Sequence, residues 1–268
     1  MRRLPHALGL LAVLVFTIFP FYWMVSSSFK TQADLLASLP VWLFRPTLAN
    51  YADVFADEKV TNAVINSLIV AICSTGLSVI LGAPAAFALA RYEFRGKADL
   101  WFWFISNRFI SPIVLALPIY LLAQSLRLLD TQLVLILVYV TFILPIVIWI
   151  TTDQFRSVPK DLEEAARLAG AKPFDVFWRI YLPLGAPGLA VSAIFGFIFS
   201  WNELLYALVL TRREAQTAPV VATSFMSGYE VPWGKIMATS TVIVLPVILF
   251  ALLVSRHMVR GLTMGATK

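Results

Sequence analysis

The sequence predicts an all-α, polytopic membrane protein with six transmembrane helices, and three observations support this prediction. Of the 268 residues, 60% are hydrophobic and only 13% are charged, whereas a soluble domain needs a far more charged surface. Apolar runs of about 20 residues, the length that crosses the hydrocarbon core of a bilayer, recur along the chain. No polar segment is long enough to fold separately, so we predict a single transmembrane domain over residues 1–268.

The positions of the apolar runs define the predicted spans. The second and third runs are long enough to tilt in the bilayer. The first run contains Pro20 and is not followed by an A-x-A cleavage site, which predicts a retained helix rather than a signal peptide. The six predicted spans cover residues 7–25, 62–90, 100–125, 131–152, 186–210 and 236–255.

The distribution of Lys and Arg predicts the orientation of these spans. When both termini are placed in the cytoplasm, most of the 21 Lys and Arg residues lie in the inner connections. The net charge of +6 is therefore explained by topology and by contact with anionic membrane lipid. Nothing in the sequence favours nucleic-acid binding.

Residues that usually form catalytic or metal sites are scarce. Cys73 is the single cysteine and lies in an apolar run, while both histidines, His6 and His257, lie near the chain ends. The sequence contains neither a G-x-S-x-G nor an H-E-x-x-H motif, so we predict no catalytic residue and no metal ligand. It also lacks the G-x-x-x-x-G-K-[ST] phosphate loop. Any ATP-driven motor for this chain is therefore expected to be another polypeptide.

Small residues recur at every fourth position in the second and fifth predicted spans. Such stripes let helix backbones approach closely where lipid supplies no hydrophobic driving force. We interpret them as packing faces, and the alternative is that part of them lines a passage or moves against a neighbouring subunit. The residues are Ser74, Ser78, Gly82, Ala86 and Ala90, and Gly188, Ser192, Gly196 and Ser200.

Two ionisable residues lie within predicted spans. Arg108 is near the middle of the third span, and Glu203, next to Asn202, lies toward the outer part of the fifth. Charges at such depth usually face a protein interior or a water-filled cavity. Arg108, Asn202 and Glu203 are therefore candidates for the translocation path, with a structural role as the alternative, and their different depths argue against a direct salt bridge between Arg108 and Glu203.

The longest inner connection, residues 153–183, divides into two predicted short helices at Gly170. The first runs from Pro159 to Ala169, with acidic residues near the positive end of its dipole and with Gly170, which is able to adopt a positive φ, as its stop. Glu163 and Arg167 form a favourable i,i+4 pair on its polar side. The apolar face of this helix is small, and it consists of Leu162, Ala165, Ala166 and Ala169.

The second predicted helix of this connection begins at Pro173 and has a bulky apolar face. Phe174, Phe177, Trp178 and Tyr181 all lie on that face, which suits the membrane interface or the helix bundle. A small, smooth face would bind lipid poorly and instead suits a groove in a partner protein. The connection is therefore better interpreted as a docking element than as a passive linker.

The spacing of seven residues in this connection resembles the EAA loop of binding-protein-dependent ABC importer permeases. Each of the seven residue types makes up about 5–10% of an average protein, so a chance match at all seven positions of one short loop is rare. Residues 66–97, 200–211 and 259–268 resemble the carbohydrate-uptake branch of that family, in particular its maltose-type smaller permease subunit. The matching loop residues are Glu164, Ala165, Ala166, Gly170, Ile180, Leu182 and Pro183.

The resemblance implies a type I ABC importer permease fold in a bacterial or archaeal plasma membrane. It implies that residues 153–183 contain a cytoplasmic coupling helix that sits in a cleft of an ABC ATPase dimer. Glu164 would contact basic residues of the ATPase, Ala165 and Ala166 would pack in the cleft, and Gly170 would permit the bend. ATP and Mg²⁺ would bind to the ATPase, and this chain would bind no cofactor. The GLTMGATK tail would approach the ATPase dimer interface.

The further implied partners are a second homologous permease subunit and an extracytoplasmic solute-binding protein, which residues 211–235 are expected to face. The implied solute is a sugar, oligosaccharide or polyol. Two other classes of protein have less support. An ion-coupled secondary transporter would use Arg108 and Glu203 as an ion site, but no inverted repeat is evident. A membrane-embedded enzyme lacks support because no catalytic motif is present.

Overall fold

The computed structural model describes residues 3–227 and 231–263, with side chains except those of residues 3–5, 7–8, 108, 227 and 251–263. Within these ranges the regular structure is helical throughout. Short 3₁₀ segments cover Asn107–Phe109 and Phe225–Ser227, and a π-helical segment covers Phe177–Tyr181. The α-helices are α1 (Arg3–Ser28), α2 (Gln32–Leu35), α3 (Ala49–Ala56), α4 (Glu58–Arg91), α5 (Lys97–Ser106), α6 (Pro112–Ser125), α7 (Gln132–Arg156), α8 (Lys160–Leu168), α9 (Pro173–Val176), α10 (Leu182–Trp201), α11 (Leu205–Leu210), α12 (Ala218–Ser224) and α13 (Trp233–Thr263).

The predicted all-α membrane architecture is confirmed. Among the described residues, 5 helices are long and apolar enough to cross a membrane, and Pro112–Ser125 is a shorter apolar helix. The 5 helices cover Gly9–Ser28, Glu58–Arg91, Gln132–Arg156, Pro173–Trp201 and Trp233–Phe250. They correspond to the first, second, fourth, fifth and sixth predicted spans, with different ends.

The third predicted span, residues 100–125, is wrong as a single helix. It is divided between α5 and α6, and Ser111 between them has an extended backbone with ψ of 127°. The cause is Pro112, because a proline disfavours the helical conformation of the residue before it and is well suited to the first position of a new helix. Arg108 lies in the 3₁₀ segment at this break.

The fifth predicted span, residues 186–210, differs at both ends. It begins earlier, because α9, the π-helical segment and α10 form one continuous helical element from Pro173 to Trp201. The prediction of a separate second short helix in the inner connection is therefore wrong. The span also ends earlier, at Trp201, and α11 begins only after Asn202–Leu204.

The chain groups into two compact units, the first built from Met1–Val64 and Ala218–Pro246. Its core contains Val54, Val60, Ala63, Val221 and Ala238. Polar contacts also join segments of this unit. Asn50 of α3 donates hydrogen bonds to the carbonyl groups of Ser28 (2.8 Å) and Lys30 (2.9 Å), at and just after the end of α1. An ion pair of 2.7 Å joins Lys235 to Asp57. The prediction of a single transmembrane domain remains a prediction.

The second unit comprises Ile65–Thr217 and Val247–Lys268, and the two small-residue stripes lie in its interior. Ser74, Ser78, Ser192 and Ser200 are buried, and the hydroxyl oxygens of Ser74 and Ser200 are 3.0 Å apart. A Cβ atom on Gly196 would lie 2.9 Å from Ile143 of α7, so the helix backbones approach closely there. The interpretation of the stripes as packing faces is confirmed for these residues.

Asp130 fixes the chain segment that follows α11 in the second unit. Its carboxylate accepts hydrogen bonds from the backbone N–H groups of residues 212 to 215, at 2.9 to 3.2 Å. The side-chain amide of Asn66 donates to the carbonyl groups of Glu214 (2.8 Å) and Gln216 (3.1 Å). Burial raises the pKa of Asp130, but the four backbone donors outweigh it and hold the pKa below its usual value of 3.8.

We expect Asp130→Ala to destabilise the second unit by about 3 kcal/mol, because several backbone donors would lose a charged acceptor at once. The measurement is thermal unfolding of the purified chain in detergent, and Asp53→Ala, at an exposed position of α3, is the control. Because the pKa of Asp130 is lowered by folding, its stabilisation is complete above pH 3.8 and is lost as the pH falls through the folded-state pKa. Equal unfolding temperatures for the two variants at neutral pH would contradict this assignment.

Candidate functional site

The inner connection forms the predicted first helix almost as expected, as α8 from Lys160 to Leu168. Pro159 is its N-cap, Asp161 and Glu163 lie in the first turn, and Arg167 lies in the last, which matches the helix dipole at both ends. Gly170 has a φ of +87° and donates its N–H to the carbonyl of Arg167 at 3.0 Å. The predicted glycine stop is thus confirmed.

Three residues of the loop motif lie on α8, and their side chains differ in exposure. Glu164 and Ala165 are exposed, whereas Ala166 is half-buried and packs against the cluster around Phe87, Phe155 and Tyr181. The outward surface continues to Leu168, whose side chain is 90% exposed. The predicted small apolar face is therefore divided, with Ala166 turned toward the bundle and Glu164, Ala165 and Leu168 on the outer surface.

Glu163 binds α8 to the rest of the second unit. Its side chain is only 12% exposed and forms ion pairs with Arg91 at 3.0 Å and Arg167 at 2.6 Å. The hydroxyl of Tyr181 donates a third contact to the carboxylate, at 2.8 Å. Arg91 lies at the end of α4 and also stacks over the ring of Tyr181, with 4.8 Å from its Cζ atom to the ring centroid. We refer to Arg91, Glu163, Arg167 and Tyr181 as the Glu163 cluster.

The electrostatics of the Glu163 cluster favour an ionised carboxylate. Burial raises the pKa of Glu163, but the hydrogen bonds from Tyr181 and Arg91 and the charges of Arg167 and Arg91 outweigh it and hold the pKa below 4.5. The sequence predicted the Glu163–Arg167 pair but missed Arg91 and Tyr181. Their positions in the sequence, 72 and 18 residues from Glu163, gave no local signal of the contact.

Ile180, Leu182 and Pro183 lie where the inner connection passes into α10. Ile180 and Leu182 pack against the buried cluster of Phe87, Phe155 and Tyr181, and Pro183 is exposed. The N–H of Leu182 donates to the carbonyl of Phe177, five residues earlier, which defines the π-helical turn. Pro183 has no N–H to donate and its ring crowds the preceding turn, so the widened turn at this point accommodates it.

The predicted aromatic face of this segment is divided between two environments. Phe177 and Tyr181 are buried in the cluster that contains Phe87, whereas Phe174 and Trp178 are 69% and 51% exposed. The prediction of one continuous aromatic face is therefore wrong. The cause is the wide turn of the π-helical segment together with the preceding turn, which places successive aromatics on two sides of the element.

The candidate translocation residues lie at the two helix breaks of the second unit. Glu203 caps α11, because its carboxylate accepts hydrogen bonds from the N–H groups of Tyr206 (3.0 Å) and Ala207 (3.2 Å). It also accepts a hydrogen bond of 2.9 Å from the hydroxyl of Tyr139. Asn202 is exposed and ends α10. These contacts explain the position of Glu203, and a role of Arg108, Asn202 or Glu203 in translocation stays a prediction.

The predicted contact of the GLTMGATK tail falls largely outside the described residues, which end at Thr263. Among the described residues, no group of three or more His, Cys, Asp and Glu side chains could hold a metal ion. The arrangement thus consists of a multi-pass helical bundle with a short, charged helix bound to it by buried ionic contacts. This combination is that of a multi-pass membrane protein that exposes one side of a short charged helix.

Residues 76–263 match the family described as binding-protein-dependent transport system inner membrane component. The chain belongs to this family. It is accordingly a multi-pass inner-membrane permease subunit and not an enzyme.

Curated relatives are similar to the chain over almost its whole length. The trehalose transport system permease protein SugB of Mycobacterium tuberculosis is 39% identical over 261 residues, covering 96% of this chain and 94% of that protein. The trehalose/maltose transport system permease protein MalG of Thermococcus litoralis is 33% identical, covering 100% and 98%. The diacetylchitobiose uptake system permease protein DasC of Streptomyces coelicolor is 34% identical, covering 94% and 92%.

Solved structures show the same fold at lower identity. A chain of a bacterial ABC transporter involved in the import of the acidic polysaccharide alginate matches with a TM-score of 0.78 and 22% identity, covering 94% of each chain. A chain of a bacterial alginate ABC transporter in complex with a pentasaccharide-bound periplasmic protein matches with a TM-score of 0.64 and 17% identity, covering 95% of this chain and 92% of that chain. These likenesses support the predicted type I importer permease fold.

Proposed function

We propose that this chain is one of two homologous permease subunits of an ATP-driven importer that takes up a sugar, oligosaccharide or polyol. The substrate class is supported by the relatives, which are named for trehalose, maltose and diacetylchitobiose transport. The solute would be delivered by an extracytoplasmic binding protein. Both termini would lie in the cytoplasm, in agreement with the excess of Lys and Arg in the inner connections.

The observation that carries this proposal is the form of α8. Its outer surface presents Glu164, Ala165 and Leu168, while its inner surface is held to α4 and to the π-helical segment through the Glu163 cluster. A helix that is rigidly attached on one side and exposed on the other suits the transfer of movement from a partner. In the proposed complex that partner is a cytosolic ABC ATPase dimer, which binds ATP and Mg²⁺, while this chain binds no cofactor.

Reconstitution in proteoliposomes tests the proposed function. The chain would be assembled with an ABC ATPase, a second permease subunit and a solute-binding protein of the same organism, and uptake of labelled trehalose, maltose, diacetylchitobiose and glucose would be measured. We expect uptake of at least one sugar that requires both ATP inside the vesicle and the binding protein. Uptake driven by an ion gradient in the chain alone would instead support the secondary transporter, and no sugar uptake under any condition would contradict the proposed substrate class.

We expect Glu164→Lys to abolish ATP-dependent uptake while the protein stays in the membrane at a normal level. Glu164 is exposed on α8 and makes no ion pair among the described residues, so its replacement leaves the fold intact. The reversed charge would instead repel the basic residues expected in the ATPase cleft. Co-purification of the ATPase checks the result, with Asp161→Lys in the first turn of the same helix as control. Full uptake by Glu164→Lys would contradict docking through this residue.

A further inference from the structure

The chain that follows α2 in the first unit exposes a run of large apolar side chains. Within residues 36–45, which we call the Leu43 segment, Leu43 is 95% exposed and Leu39 is 79% exposed. Arg45 is the single charged residue of the segment. Apolar patches that lie outside the membrane-spanning helices normally mark a surface that contacts a protein or a membrane. The large, exposed apolar residues of this patch are Leu36, Leu39, Trp42 and Leu43.

Two aromatic contacts place the Leu43 segment beside the last turns of α1. The ring of Trp42 meets the ring of Trp23 edge-on, with 5.4 Å between the ring centroids. The ring centroid of Phe44 lies 5.0 Å from the ammonium group of Lys30, which in turn lies 4.4 Å from the ring centroid of Trp23. Leu43 lies between Trp42 and Phe44 in the chain, so its Cα atom is about 3.8 Å from each of theirs. The segment is therefore held at the level of Trp23.

The level of Trp23 corresponds to the boundary of the membrane. Trp23 lies within Gly9–Ser28, a helix of 20 residues that is long and apolar enough to cross a membrane. Such a helix is about 30 Å long, which equals the thickness of the hydrocarbon core. Trp23 precedes the end of this helix at Ser28 by about 7.5 Å along the axis. Segments that lie in a membrane interface bury their apolar side chains to a similar depth, about 5–10 Å.

Hydrogen bonds on both sides of the Leu43 segment fix it to the first unit. After the segment, the N–H of Thr47 donates to the carbonyl of Phe29, just beyond α1, at 2.9 Å. Before the segment, the side-chain amide of Gln32 donates to the carbonyl of Val231 at 2.9 Å. Polar groups thus bind the protein, whereas the leucine side chains are left outside. This arrangement is unfavourable in water and favourable in an apolar phase.

The composition of the Leu43 segment favours lipid over a protein partner. Arg45 is exposed and makes no ion pair among the residues that the structure describes. Arginine next to tryptophan and leucine is typical of the headgroup level, where the guanidinium group binds phosphate and the apolar side chains reach the acyl chains. A protein that docks and departs would expose the leucines to water in every cycle, whereas lipid covers them continuously.

We propose that the Leu43 segment is a membrane-interface anchor, in which the exposed leucines and Trp42 insert into the lipid leaflet at the end of α1 and Arg45 binds a lipid phosphate. With both termini in the cytoplasm, this is the extracytoplasmic leaflet. The anchor would fix the depth of the end of α1 in the bilayer. It goes beyond the proposed function and is independent of the sugar and of the ATPase, because it needs only this chain and lipid.

Spin labels on the full-length chain test the depth of the segment. In a Cys73→Ala background, which removes the single cysteine, Leu39→Cys or Leu43→Cys would carry a nitroxide in nanodiscs of phosphatidylcholine and phosphatidylglycerol. The measurement is the ratio of collisions with oxygen, which concentrates in lipid, to collisions with a water-soluble nickel chelate. We expect this ratio at both positions to be severalfold higher than at Asp53→Cys, an exposed polar position of the same unit, and lower than at Phe16→Cys, an exposed position within α1.

Leu43→Asp provides a second readout, with the nitroxide kept at Leu39→Cys. A carboxylate is costly in an apolar environment, so we expect the oxygen-to-nickel ratio at position 39 to fall severalfold toward the value at Asp53→Cys. Leu43→Ile is the matched control and should leave the ratio unchanged. Because the side chain of Leu43 is almost fully exposed, neither variant should alter the unfolding temperature in detergent. An equal ratio in Leu43→Asp and Leu43→Ile would contradict insertion of this side chain.

The same labels in the assembled importer distinguish lipid from a protein partner. Lipid-like ratios both in the chain alone and in the importer with its binding protein support the anchor. Water-like ratios in the chain alone overturn it, including the case in which the labels become shielded only when a partner is added. Low access of both reagents in the importer would assign the surface to a protein and overturn the anchor as well. Sugar uptake does not enter this test, so the proposed function stands or fails separately.

Discussion

Replacing Glu163 by glutamine is expected to reduce sugar uptake per ATP hydrolysed at least severalfold, while ATP hydrolysis by the assembled importer continues. The carboxylate binds Arg91 of α4, Arg167 of α8 and Tyr181 of the π-helical segment at distances between 2.6 and 3.0 Å. Glutamine keeps the shape but loses the charge, so the buried Arg91, which is 4% exposed, would lack its counter-ion. Breaking a buried pair in this way costs about 3 kcal/mol.

The reason for an effect on coupling is the position of the Glu163 cluster between α8 and two transmembrane elements. If α8 receives movement from the ATPase, a weakened attachment would let it move without the bundle. The measurements are ATP hydrolysis and sugar uptake on the same proteoliposomes. Asp161→Gln is the matched control, because Asp161 is exposed on the same helix. An unchanged ratio of uptake to hydrolysis in Glu163→Gln would contradict this role.

The pH dependence of stability provides a second readout for the same variant. Because folding lowers the pKa of Glu163 below its ordinary 4.5, the stabilisation is complete above pH 4.5 and is lost as the pH falls through the folded-state pKa. The difference in unfolding temperature between the wild type and Glu163→Gln should therefore be constant near neutral pH and should shrink in acid. A difference that grows on acidification would argue against an ionised Glu163.

Replacing Gly170 by proline or valine is expected to abolish or strongly reduce uptake, whereas asparagine should be tolerated. Gly170 has a φ of +87°, which proline cannot adopt, and its N–H donates to the carbonyl of Arg167, which proline cannot do. A β-branched residue is also strained at positive φ, by about 1–2 kcal/mol. Asparagine adopts this conformation more readily than other non-glycine residues.

Comparing these variants separates the effect of backbone conformation at Gly170 from the effect of side-chain size. A Cβ atom at this position would meet no atom within 4 Å, so side-chain size alone cannot account for a loss of activity. The measurement is uptake by the reconstituted importer, with Gly76→Val, also in open space but within a helix at negative φ, as the control. Full uptake by Gly170→Pro would contradict the assignment of Gly170 as the required bend between α8 and α9.

The features that the sequence predicted well are those determined by local physics. The apolar runs, the acidic first turn of α8 and the glycine stop at Gly170 all follow from residues close together in the chain. The break at Ser111 could also have been found, because Pro112 signals it locally. The end of α10 was harder to foresee, since it depends on whether Glu203 uses its carboxylate to cap the following turn.

The features that the sequence could not predict depend on contacts between distant segments. Arg91 at the end of an apolar helix looks like an interfacial residue, and only the fold brings it to Glu163. An α-helical repeat predicts one shared face for the aromatic residues of the inner connection, and the π-helical segment changes that repeat. Lys30 likewise gave no sign of its burial, which arises from the packing of Trp23 and Phe44 around it.

Asp130 fixes the backbone of residues 212–215 without constraining which side chains the segment carries. Asp130 and Asn66 contact its main chain only, and the side chains of Arg213 and Glu214 are exposed. Those side chains can therefore be exchanged while the course of the chain is preserved. A single backbone course is in this way compatible with many different surfaces, because only the exposed side chains need to change.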